Sequence, residues 1–106
     1  MTSSIPVIQK KLSTQMCAIL LIFCADTVLM ESIEPFVDLK TESIDWEQIR
    51  QIPFGSGHRA ATSIAYSIWT DKILEGGNPF ELALSMEKPL QRACLQALAV
   101  RWGLKS

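Results

Sequence analysis

The chain has 106 residues, of which 48% are hydrophobic and 20% charged, and its net charge is −1. That length holds one domain and excludes two independent cores, and the composition excludes a disordered chain. With charge near balance, no overall field draws the protein to nucleic acid or to an anionic membrane.

Mean hydropathy is slightly positive, high for a chain of this size, which leaves apolar surface for a partner. The charge is unevenly spread. Glu31, Glu34, Asp38, Glu42, Asp45 and Glu47 crowd one stretch, while Lys88, Arg92, Arg101 and Lys105 close the chain without a later acid. Two solvated faces explain this pattern most simply.

The first predicted helix runs from Pro6 to Ile33, with Ser3 or Ser4 as its cap. Ile5, Ile8, Leu12, Met16, Ile19, Phe23, Met30 and Ile33 form a stripe at helical spacing. Its middle, Met16 to Ala25, holds no charged side chain, and a helix that is apolar all round needs cover on every side. The other helices are therefore expected to surround it. Lys10 and Lys11 before this run resemble the start of a signal peptide. The run is only half the length, about 20 residues, that spans a bilayer, and no clean small-x-small cleavage site follows. No membrane role is expected.

Ser43 is predicted to cap a short helix over Ile44 to Gln51, with Trp46, Ile49 and Ile52 inward. Ile52-Pro53-Phe54-Gly55 ends it, and Ser56 is the next predicted cap. A helix over Gly57 to Leu74 follows, buried through Ala61, Ile64, Ala65, Ile68, Trp69 and Ile73. Gly57, Ala61 and Ala65 at four-residue spacing permit another helix to approach closely, and Gly76-Gly77 stops the segment.

Asn78-Pro79-Phe80-Glu81 combines a strong cap, a proline at the first position and a capping-box glutamate. A short helix to about Met86 and another from Pro89 to Trp102 complete the chain. The last one turns Leu90, Cys94, Ala97, Leu98 and Trp102 inward. No stretch alternates with period two, so the predicted fold is all-α. It is a single domain, residues 1–106, formed as a small bundle of four to five helices around the long apolar N-terminal helix.

Chemistry is sparse. Gly55-Ser56-Gly57-His58-Arg59 places free amides and two potential cations at a helix start. There Ser56, Gly57, His58 and Arg59 form a candidate anion-binding turn, although it lacks the length and lysine of a P-loop. A tight turn that needs glycines accounts for the same residues.

Asp26 follows the apolar run and is a candidate buried charge, for which Arg59 or His58 is the partner in prospect. The functional alternative is a general base, but the chain has one histidine and no nucleophile–base motif, so no catalytic residue is assigned. Cys17, Cys24 and Cys94 show no metal-ligand spacing, and none of the residues suggests a cofactor. Cys17 and Cys24 lie about 10 Å apart along a helix, too far for a disulfide. Three buried, reduced thiols fit a cytoplasmic protein.

The helix pair after Asn78 permits a helix-turn-helix reading in which Gln91, Arg92 and Gln96 face out. The first helix is short and the charge is not basic, so nucleic acid is not the expected partner. The sequence favours a non-enzymatic helical association module acting as a homodimer. A phosphate-type ligand at Gly55–Arg59 and a small DNA-binding regulator are the alternatives.

Overall fold

A computed structural model describes residues 12–72 and 78–104. The caps Ser3 and Ser4, the predicted start at Pro6, the Gly76-Gly77 stop and Lys105 lie outside the described residues.

Helix α1, Thr14–Phe23, begins where Ser13 turns its hydroxyl oxygen to the Met16 amide. It ends earlier than the sequence suggests. Asp26 adopts extended backbone, with φ −140° and ψ 122°, and its carboxylate accepts the Leu29 N–H at 3.0 Å. That makes Asp26 the N-cap of a separate helix α2, Thr27–Ile33. The continuous helix to Ile33 is thus broken in two. Inside a helix, an aspartate beside the apolar run gains little, whereas at an N-cap it satisfies an orphan donor.

A turn of 3-10 helix, Glu34–Phe36, leads into the antiparallel pair β1, Val37–Asp38, and β2, Ser43–Ile44. Val37 pairs with Ile44 and Asp38 with Ser43. The expectation of no sheet therefore fails for this one small pair. Its strands have two residues each, too short to show alternation in sequence. The Asp38 carboxylate accepts the Lys40 and Thr41 amides, and Glu42 takes a left-handed φ of 52°. Glu42 then reaches back to accept the Ser13 N–H at 3.0 Å.

Helix α3, Trp46–Arg50, is capped by Asp45 rather than Ser43, which is taken up in β2. Helix α4, Ser56–Thr70, has Gly55 at its N-cap, so Ser56 is its first residue and not its cap. Asp71, with φ 59°, closes it. Helix α5, Pro79–Leu84, has both capping-box bonds between Asn78 and Glu81. Helix α6, Lys88–Arg101, carries Pro89 in its first turn. The described residues thus hold six α-helices and one two-stranded sheet, a mostly helical domain.

Ala25, just past α1, shares a groove with Pro89 at the start of α6. Trp69, near the end of α4, lines one cleft with Ser13 and Gln15 at the start of α1. Helix α1 therefore runs against both α4 and α6, and its contact with α6 is the most extensive between described elements. Met16, Ile19, Ile22 and Phe23 enter the core with Leu29, Ile33, Ile64, Ala65, Ile68, Leu90, Cys94 and Ala97. Ala61 and Ala65 are fully buried. At Gly57, an added Cβ would lie 2.8 Å from the Ser85 carbonyl oxygen, so the backbone approach requires glycine.

Three burial expectations are corrected. The apolar run is not enclosed on every side by the described residues: Cys17, Leu21, Cys24 and Ala25 are exposed. Of the three cysteines, only Cys94 is buried. Trp102 is 67% exposed because α6 ends at Arg101 and Trp102 lies beyond its last packed turn, whereas Trp46 and Trp69 pack at the margin of the core. No described helix is long and apolar enough to cross a membrane.

Candidate functional site

The break at Asp26 positions one cluster. Capping α2 leaves the second carboxylate oxygen pointing away from the helix, 3.2 Å from His58 Nε2 on the first turn of α4. Both side chains are about a quarter exposed. Asp26 is thus a half-shielded charge with a histidine partner, not a buried one. The Leu29 amide lowers its pKa; partial burial opposes that, and His58 adds to the lowering. The carboxylate is held in its charged form, the opposite of what a general base with a raised pKa needs. Phe54 meets the imidazole edge-on, with centroids 5.8 Å apart, and fixes one side of the ring.

Around the pair lies a cleft of about 300 Å³, lined also by Gly57, Ser85, Glu87 and Leu90. Glu87, the residue before α6, carries no sequence signal that ties it to Asp26. Only the Gly57–Ser85 approach brings it there.

The turn residues separate. Ser56 is exposed, Gly57 abuts Ser85, and His58 faces Asp26. Arg59 is turned the other way, donating to the Arg50 carbonyl at 3.0 Å and the Ile52 carbonyl at 2.7 Å. It closes the end of α3 and covers Phe54. The side of α4 that an anion would approach is therefore faced by the carboxylate of Asp26 and lined by Glu87.

Of the outward residues expected on the last helix, Arg92 and Gln96 are exposed. Gln91 instead donates to the Ala83 carbonyl at the end of α5. Helix α5 packs chiefly on α4. Among the described residues, no group of three histidine, cysteine or acidic side chains is placed to hold a metal ion.

A second surface lies on α1. Thr14, Cys17, Leu21 and Cys24 are all exposed, at spacings of three, four and three residues. None is charged. Cys17, Leu21 and Cys24 border a shallow groove of about 550 Å³ that is also lined by Leu20 and by Arg92, Ala93 and Gln96 of α6. Leu95, 69% exposed, sits beside Arg92 on the same helix. Helical spacing marked these α1 residues as apolar. It did not mark them as exposed, because the run is equally apolar on its buried side.

No protein-family model, curated protein or solved structure matches the chain.

Proposed function

We propose that the protein is a non-enzymatic helical association module that works as a homodimer, with the α1–α6 groove as its contact. The observation that carries this reading is the uncharged outer stripe of α1. The outer face of a helix on a soluble domain is ordinarily polar, and a contiguous apolar strip beside a groove marks a contact surface.

The occupant is a second copy. A twofold contact uses the same patch twice, so it tolerates no unpaired charge at its centre, and Thr14, Cys17, Leu21 and Cys24 meet that requirement. Their three-four-three spacing is also the seam spacing by which like helices interdigitate. Arg92 at the rim suits an interface, where arginine is enriched. Three unpaired thiols favour the cytoplasm as the place of action. The anion reading is less favoured because carboxylates face the turn, and the DNA reading because α5 packs chiefly on α4 rather than on α6.

Light scattering after size-exclusion chromatography at micromolar concentration tests the proposal. The expected mass is that of a dimer. Leu21→Glu, at a position 37% exposed, is expected to keep the helical circular dichroism spectrum and to shift the mass to a monomer. A strictly monomeric native protein, or a folded Leu21→Glu variant that remains dimeric, overturns it.

A further inference from the structure

We draw no further inference here: the strongest candidate, the cleft of about 300 Å³ at the starts of α4 and α6 where Asp26 and His58 pair beside Ser85 and Glu87, joins a helix N-terminus to two carboxylates, and nothing in the structure points to a ligand that fills it.

Discussion

Replacing Asp26 separates two contributions that one side chain makes. Asp26→Ala removes the acceptor for the Leu29 amide, worth about 1 kcal/mol as an N-cap. It also removes the partner of His58. With both groups about a quarter exposed, that contribution is on the order of 0.5 kcal/mol rather than the roughly 3–5 kcal/mol of a broken buried pair. The expected total is about 1.5 kcal/mol.

Asp26→Asn keeps the cap acceptor and loses only the charge, so about 0.5 kcal/mol is expected. Urea unfolding followed by circular dichroism at neutral pH measures both variants. The reasoning is refuted if Asp26→Ala is neutral, or if Asp26→Asn costs as much as Asp26→Ala. The pH dependence carries a sign as well. Because the folded-state pKa is lowered, the charge contributes stability above the unfolded pKa, and this is lost as pH falls through the folded value. The difference between wild type and Asp26→Asn should therefore shrink as pH falls through the carboxylate range, below about pH 4.

At Gly57, alanine would ordinarily gain about 1 kcal/mol in a helix, but a Cβ 2.8 Å from the Ser85 carbonyl reverses the sign. Gly57→Ala is expected to destabilise by about 1 kcal/mol, and a raised melting temperature would disprove the close approach. Arg59→Ala, which strips the Arg50 and Ile52 carbonyls of their donor, is expected to cost about 1–2 kcal/mol in the same urea assay. Ile19→Ala opens a cavity at a fully buried site and is expected to cost about 3 kcal/mol, so an effect below about 1 kcal/mol would contradict the packing.

Local signals were legible where one side chain decided the outcome. Asn78 and Glu81 formed the capping box that their spacing announced, and of the small residues on α4 Gly57 comes close to the Ser85 backbone while Ala61 and Ala65 are fully buried. That Asp26 needs a cationic partner was readable, since it sits beside an apolar run, but the choice between Arg59 and His58 was not; the structure pairs it with His58.

The break before α2 was hidden because its cap lies inside an otherwise uninterrupted helical stripe, so periodicity and capping gave opposite answers. The exposure of Cys17, Leu21 and Cys24 was hidden for a different reason. Which side of an all-round apolar helix is covered depends on the placement of α4 and α6, a property of the tertiary fold with no local signature. Trp102 misled similarly: its spacing continues the inner stripe of α6, but the helix stops one residue too soon.

The partnership of α1 with α6 also bears on how the chain is made. Helix α1 leaves the ribosome long before the helix against which it packs most. Until α6 emerges, both the future core side of α1 and its outer stripe face water. The contact joins distant parts of the sequence, so forming it requires closing a loop that includes nearly every other described element, a topology that slows folding. A nascent chain in this interval presents the apolar surface that chaperones exist to shield. The stripe that stays exposed in the finished protein is thus, during synthesis, only one part of a larger apolar surface in need of protection.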